Sequence, residues 1–508
     1  MSNISKWKIA LLSTSLDLHD LRSRVTTSLK ETGFNLLAFE DKDFIVEPLV
    51  SSHEACLIAV QQCDIAILII DRRSGGLYLG IGPETITEAE FERVQKTGKI
   101  VIPCVRKEAE NERHMAFTQL KESQKKYPLR PLDEIKKGIS LSYVDNWKVL
   151  EFIEKVRKSD LDNFIIYFDN VEDLVVQLQG RLRNLTRYIA QMIAIKQAEH
   201  VKKIKTSVGL YLSVGDILTE KYFIESVPYK IQSGVYYIKH NESANKIISL
   251  PQSQNASILV IGLPGTGKST LLIKGFLEHV EKCILEKSRR VPFYLSLRGK
   301  GIEYHFNIKS YIDDSCREYL QKEMFPIFDL GLLEPVFYID GFDELAEVTS
   351  KKGINHIRNS EIFSHPLILC SRTLFARMYV GVELGDLFNI IMELSEWKNE
   401  NSWDYIKIYC KIRSKPDIYN KLITYYKGKE GNAEFFKNPL LLTMFLWIIE
   451  ESDIKLPLSR TDNATIIDEF INHWIEREIP RYDKFNIEQH KLNEDIKKRV
   501  RNLKLEHL

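Results

Sequence analysis

Apolar and polar residues alternate along the first hundred positions in the pattern of an α/β protein. Short apolar runs predict strands at residues 7–13, 35–39, 63–70 and 99–105. Apolar residues at helical spacing predict helices at residues 17–33, 53–62 and 87–97. Such alternation is typical of a parallel sheet with helices on both faces, where ligands bind at the carboxyl ends of the strands. The loop at residues 71–80 is therefore a candidate ligand loop.

The next stretch is charged, and its pattern is helical. It is broken at Pro128 and Pro131, and it leads to a strand-like run at residues 164–167 and a long amphipathic helix. We interpret it as a connector that packs back on a first domain at residues 1–190. A linker at residues 191–245 contains a basic run that we interpret as a solvated face, so we expect no nucleic-acid partner.

Another apolar run, at residues 257–262, breaks into glycines and restarts as a helical pattern. From Gly262 to Ser269 the spacing is G-x-x-x-x-G-K-S, in which backbone N–H groups surround phosphates at a helix N-terminus. The expected ligand is ATP or ADP with Mg²⁺. We expect Lys268 to reach the β- and γ-phosphates, and Ser269 to bind Mg²⁺. The expected nucleotide-binding residues are Gly262, Gly265, Thr266, Gly267, Lys268, Ser269 and Thr270.

An acidic box follows the apolar run at residues 336–339, which we interpret as a buried strand. Asp340 is placed to hold Mg²⁺ through water, and Asp343 and Glu344 are candidates for activating the attacking water. A further strand at residues 366–373 contains Arg372, which we expect to contact the γ-phosphate. Together with the phosphate loop, the box predicts an NTPase.

The whole-chain composition narrows the class of protein. The length of 508 residues predicts three or four domains, and 71 basic against 70 acidic residues give no global field for nucleic acid or membranes. Seven cysteines without a C-x-x-C pair predict a reducing cytoplasm and neither disulfides nor zinc. No run approaches the roughly 18 apolar residues of a membrane span.

Four motifs in order resemble those of the NACHT family of signal-transduction ATPases. They are residues 262–270, the box at 340–344, Ser371-Arg-Thr373 and Asn438-Pro-Leu-Leu-Leu442. The resemblance covers residues 220–480. It implies a NACHT P-loop core at residues 246–395, a helical domain with the start of a winged-helix-like segment at 396–508, and Pro439 near the adenine.

The first region resembles TIR-like and nucleoside 2-deoxyribosyltransferase-like domains, which implies a flavodoxin-like fold. The resemblance rests on residues 13–22, on Cys63-Asp64 and on residues 87–94. It implies that Glu90 acts on the ribose of NAD⁺, with Glu88 as a rival. The tryptophan–cysteine pair that precedes this glutamate in many TIR domains is absent from the sequence.

The resemblances together imply an ATP-dependent switch that holds ADP as a closed monomer and self-associates when triggered. Assembly would then activate the first domain as an NAD glycohydrolase in antiviral defence. The trigger is unknown, either a phage component or a separate sensor chain. Two alternatives stay open: a scaffold whose first domain makes only protein contacts, and a small-molecule kinase that uses the same phosphate loop.

Overall fold

A computed structural model describes most of the chain. The described residues are 4–14, 18–38, 51–78, 84–159, 164–203, 228–232, 248–286, 288, 290–297, 307–344, 360–376, 387–394, 396–426, 434–452 and 466. The winged-helix-like segment and most of the linker predicted from the sequence lie outside them. Among the described residues, no helix combines the length and the apolar character that a membrane crossing requires.

The chain divides into two compact units, each with its own sheet. The first comprises Met1–Ile193 and Lys309–Leu333, and the second comprises Ala194–Ile308 and Glu334–Leu508. The first unit contains strands β1 (Lys8–Leu12), β2 (Asn35–Leu37), β3 (Ile65–Ile70), β4 (Ile100–Arg106) and β5 (Ile166–Phe168). Its helices are α1 (His19–Glu31), α2 (Ser52–Gln62), α3 (Ile86–Lys96), α4 (Lys107–Lys126), α5 (Leu132–Lys137), α6 (Trp147–Arg157) and α7 (Val171–Arg183), and α8 (Thr186–Lys203) crosses the boundary.

The first sheet has the strand order β2-β1-β3-β4-β5, and every pair is parallel. All six residues of β3 are buried, as expected for a strand covered by helices on both faces. The parallel α/β fold predicted for this region is therefore confirmed. One detail differs, because the run we interpreted as part of a connector supplies β5, which pairs with β4 and completes the sheet.

A segment from the middle of the chain completes the first unit. Phe325 is fully buried, and its ring lies 5.3 Å from that of Trp7 and 5.1 Å from that of Phe34. Lys322 forms an ion pair of 2.8 Å with Asp64. Our sequence interpretation placed residues 309–333 inside the NTPase core, because it could not detect these contacts with the start of the chain.

The second unit is built on a sheet of order β6-β11-β7-β10-β9-β8, parallel except for β6 against β11. Its strands are β6 (Pro228–Gln232), β7 (Ser257–Gly262), β8 (Arg290–Ser296), β9 (Glu334–Asp340), β10 (Leu367–Arg372) and β11 (Ile390–Leu394). Helix α9 (Lys268–Leu285) follows β7, and α10 (Ile308–Ser315) begins at the unit boundary. Because β10 lies between β7 and β9, the ends of these three strands lie side by side.

A helical cluster follows β11, as predicted. Its described part contains α11 (Asn399–Ile412), α12 (Pro416–Tyr426) and α13 (Pro439–Ser452), with a 3₁₀ turn at Glu434–Lys437. Phe435, Phe436 and Trp447 are almost fully buried in its core, where the Phe435 and Phe445 rings lie 4.4 Å apart. Aromatic side chains of this size bury a large apolar area, so the cluster forms a core of its own.

Candidate functional site

The loop of the G-x-x-x-x-G-K-S motif, residues 262–269, is called the phosphate loop here after its expected role. It joins β7 to α9 and contains two glycines with left-handed backbone conformations. Gly265 has φ of 79° and Gly267 has φ of 92°, conformations that cost other residues about 1–2 kcal/mol. Thr266 is buried, and its hydroxyl donates to the Leu263 carbonyl at 2.9 Å. A Cβ on Gly262 would lie 2.8 Å from that hydroxyl, so the strand can end here only in glycine.

Lys268 is the first residue of α9, and its side chain lies against the preceding loop. Its Nζ donates to the carbonyl oxygens of Gly262 at 2.8 Å and Leu263 at 2.9 Å. Burial lowers the pKa of Lys268 despite the nearby acids. The ammonium group has three donors, so one is left beyond these two carbonyls, and it stands at the positive end of an 18-residue helix. This arrangement suits the terminal phosphates of a nucleotide.

Ser269 and Asp340, the two residues expected to hold Mg²⁺, lie within hydrogen-bond distance of each other. The Ser269 hydroxyl donates to Asp340 Oδ1 at 2.9 Å, and the Tyr294 hydroxyl donates to Oδ2 at 3.4 Å. Asp340 is only 5% exposed. A hydroxyl and a single carboxylate fit Mg²⁺, which prefers oxygen ligands and retains several waters. The ion would neutralise phosphate charge there. Thr270, also expected at the nucleotide site, follows Ser269 in the first turn of α9 and is half-buried.

Asp343 and Arg372 bind each other. Arg372 Nε lies 2.8 Å from Asp343 Oδ2, and the Arg372 backbone N–H donates to Oδ1 at 3.1 Å. Arg372 pairs in register with Gly262, which places it beside the start of the phosphate loop. Both oxygens of Asp343 are therefore engaged. Glu344 lies in the 3₁₀ turn Phe342–Glu344, and its side chain is outside the described residues.

Asn438 contacts the phosphate loop from the helical cluster, a contact that our sequence analysis missed. Its Oδ1 accepts from the backbone N–H groups of Leu440 at 3.0 Å and Leu441 at 3.2 Å, and its Nδ2 donates to the Pro264 carbonyl at 2.9 Å. Pro439, predicted to lie near the adenine, is the first residue of α13. An asparagine followed by proline is a typical helix start, but that signal names no partner.

We expect alanine at Gly265 to be more harmful than alanine at Gly267. Both substitutions put a Cβ on a residue whose φ is positive. A Cβ at Gly265 would also lie 2.5 Å from Asn438 Oδ1, whereas among described residues nothing lies within 4 Å of a Cβ at Gly267. Gly265→Ala should lower the free energy of unfolding by about 1–3 kcal/mol more than Gly267→Ala, since overpacking adds to strain. Equal losses in denaturant titrations would contradict the close contact.

A separate cavity of about 210 Å³ lies in the first unit, at the carboxyl end of β1. It is lined by residues 10–14, by Arg22 of α1, by His53 and Cys56 of α2, and by Thr87 and Glu90 of α3. In parallel sheets of this strand order, ligands bind at the carboxyl ends of β1 and β3, where the strand order reverses. The cavity is therefore in the position expected for a ligand site.

Glu90 is buried in this cavity, whereas Glu88 is not available to it. Burial raises the pKa of Glu90 to about 8, although Arg22 and a hydrogen bond with Cys56 lower it. Arg22, also buried, donates to the Ser13 hydroxyl at 2.6 Å. Glu88 instead closes a capping box, in which its Oε2 accepts from the Thr85 backbone N–H at 2.8 Å.

Solved structures that resemble this chain do so with low TM-scores and low sequence identity. Thermotoga maritima RuvB, described as a Holliday junction branch migration motor, is 14% identical over 45% of this chain, with a TM-score of 0.25. C. elegans PCH-2 is 13% identical over 64% of this chain and 72% of its own, with a TM-score of 0.27. NtrX from Brucella abortus, solved with ADP, is 11% identical over 97% of this chain and 99% of its own, with a TM-score of 0.26.

These likenesses carry no inference about what the chain does. The chain spans about 65% of the RuvB structure that it matches. No curated protein matches this chain. At the level of families, residues 8–183, which hold the first sheet and the Glu90 cavity, match the family described as Domain of unknown function (DUF4062).

Proposed function

We propose that the second unit binds ATP with Mg²⁺, hydrolyses it, and uses the exchange of ADP for ATP as a switch. The Ser269–Asp340 hydrogen bond supports this proposal most directly. It joins the residue after the phosphate-loop lysine to the last residue of a buried strand, two groups that a phosphate-bound magnesium ion needs together. Lys268, Gly265 and Gly267 would bind the phosphates through the ammonium group and backbone N–H groups.

The proposed switch has a closed and an assembled state, as the four NACHT-like motifs suggest. In the closed state ADP is held between the phosphate loop and the start of α13, with Pro439 beside the adenine. A trigger, either a phage component or a separate sensor chain, opens the site to ATP and leads to self-association in antiviral defence. The contact of Asn438 with Pro264 supports a closed arrangement of these two elements.

We expect substitutions in the acidic box to slow ATP hydrolysis without preventing ATP binding. Glu344→Gln removes the proposed water-polarising carboxylate, and its turnover should fall about 10²–10⁴-fold, the contribution typical of a general base. Asp343→Asn should have a smaller effect, because that carboxylate already holds Arg372. Phosphate release and ATP affinity would be measured on the same preparations.

The matched control is Glu334→Gln, at the start of β9 and far from the acidic box that follows this strand, where the carboxylate pairs with Arg290. Its turnover should equal that of the parent. Parental turnover in both Glu344→Gln and Asp343→Asn would show that the acidic box has another role. Trapping of an assembled form by ATP in Glu344→Gln, observed by light scattering, would support the switch.

A second proposed activity is hydrolysis of the bond between ribose and nicotinamide in NAD⁺ by the first unit. Water adds to the ribose carbon and nicotinamide leaves. Positive charge develops on the ribose as the bond breaks, so a carboxylate in a partly dry cavity would stabilise the transition state. The buried position of Glu90 in the cavity at the end of β1 favours this activity over a purely structural first unit.

We expect Glu90→Gln to abolish nicotinamide release by the assembled protein, while Glu88→Gln retains it, because glutamine still closes a capping box. Release should rise with pH through about 8, since burial keeps Glu90 protonated below that pKa and the carboxylate is the active form. Release would be followed by chromatography from pH 6 to 9.

Parental release from the Glu90→Gln variant would exclude this residue as the catalytic group. No release at any pH from a fully assembled parent would favour the alternative of a scaffold, in which the first unit makes only protein contacts.

A further inference from the structure

We infer that Asn438 is a positioning residue that ties the start of α13 to the phosphate loop and thereby slows the release of bound nucleotide. This role rests on the nucleotide site proposed above. It concerns how long a nucleotide stays bound, a property separate from the hydrolysis step proposed for the acidic box.

The oxygen and the nitrogen of the Asn438 side-chain amide have two different functions. Its oxygen caps α13 by accepting from the backbone N–H groups of Leu440 and Leu441. Its nitrogen donates to the Pro264 carbonyl at 2.9 Å, across 174 residues of sequence. Only the first function is needed for a helix to begin, and serine or aspartate would perform it equally well.

The second function is supported by the shape of the loop around it. A Cβ on Gly265 would lie 2.5 Å from Asn438 Oδ1 and 3.0 Å from the Leu440 Cβ. The absence of a side chain at Gly265 therefore permits the close approach of α13 as well as the positive φ of the loop. The carbonyl of the peptide between Pro264 and Gly265 accepts from the Asn438 side chain at this point of close approach.

Asn438 is itself fixed to the helical cluster. Its backbone N–H donates to the Phe435 carbonyl at 3.2 Å, and its carbonyl accepts from the Leu442 N–H at 2.9 Å. Phe435 is packed in the core of that cluster. Any movement of the cluster away from the loop must therefore break the bond to Pro264. By thermodynamic linkage, a nucleotide that binds more tightly when the Asn438–Pro264 bond is formed also stabilises the helical cluster in its position against the loop.

The test compares Asn438→Ser with Asn438→Ala in the full chain. Serine retains the helix cap and adds no charge near the phosphates, but its hydroxyl is too short to reach Pro264. Alanine loses both the cap and the tie. Release of a fluorescent ADP analogue after mixing with excess unlabelled ADP should be about fivefold faster in both variants, the effect of one net hydrogen bond.

Hydrogen exchange separates positioning from capping. In Asn438→Ser, amides of the phosphate loop should exchange faster while those of α13 keep the protection of the parent. In Asn438→Ala, the first turn of α13 should also lose protection. Parental release from Asn438→Ser, with faster release only from Asn438→Ala, would overturn the role of Asn438 and reduce it to a helix cap.

The same experiment distinguishes this role from the nucleotide site on which it rests. A parent that binds ADP, with release unchanged in both variants, would contradict the tie alone. A parent that binds no ADP would overturn the nucleotide site and the tie together.

Discussion

Lys268→Ala should abolish measurable ATP and ADP binding. The lysine ammonium lies over the phosphate loop, where it donates to the carbonyls of Gly262 and Leu263 at 2.8 and 2.9 Å. Exchange of such carbonyl partners for phosphate oxygens would form charge-assisted hydrogen bonds, each about 1.5–3 kcal/mol in net stabilisation. Loss of two such bonds predicts an affinity at least about a hundredfold weaker, measured by titration calorimetry.

The control for this substitution lies on the same helix. Lys282 is exposed in the last turn of α9, far along the helix from its phosphate-binding end, and Lys282→Ala should bind nucleotide as the parent does. Circular dichroism would establish that both variants are folded. Parental ATP affinity in a folded Lys268→Ala variant would mean that the glycine-rich turn is not a phosphate loop.

Asp340→Asn should remove the dependence of ATP hydrolysis on Mg²⁺. The substitution preserves size and still allows a hydrogen bond with the Ser269 hydroxyl, but it removes the negative charge that would hold the ion through water. We expect turnover to fall about 10²–10³-fold and ATP affinity in magnesium-free buffer to stay close to that of the parent. Turnover would be measured as phosphate release over a titration of Mg²⁺.

Tyr294→Phe provides a graded comparison for Asp340→Asn. It deletes the longer hydrogen bond to the same carboxylate, 3.4 Å from the Tyr294 hydroxyl, and leaves the charge in place. Its turnover should change only a few-fold. An Asp340→Asn variant with the Mg²⁺ response of the parent would place the ion elsewhere.

Several elements could be predicted because the information for them is local. The run at residues 65–70 is apolar throughout and forms a fully buried strand, and the glycines of the phosphate loop occur where the chain needs positive φ. Strands β8 and β11 were not assigned from the sequence. Polar or charged residues interrupt or flank the apolar positions of each, so only its pairing with a neighbour in the sheet identifies it.

The two glutamates of α3 illustrate a second limit. Sequence spacing shows only that residues two apart do not share a helix face. The structure adds which face is buried, because Glu88 turns back to Thr85 while Glu90 lies in the cavity beside Arg22. Which of the two acts on a substrate stays a prediction, but their environments now differ enough for a decisive comparison.

Residue spacing was enough to predict parallel α/β architecture, a G-x-x-x-x-G-K-S loop and an acidic strand end, because each of these features depends on positions within a few turns or strands. Tertiary structure alone decided which groups meet: Ser269 with Asp340 across 71 residues, Asp343 with Arg372, and Asn438 with Pro264. It also decided that residues 309–333 complete the first unit. The physical reason is that such contacts depend on strand order and helix packing, which bring together side chains whose separation along the chain carries no periodic signal.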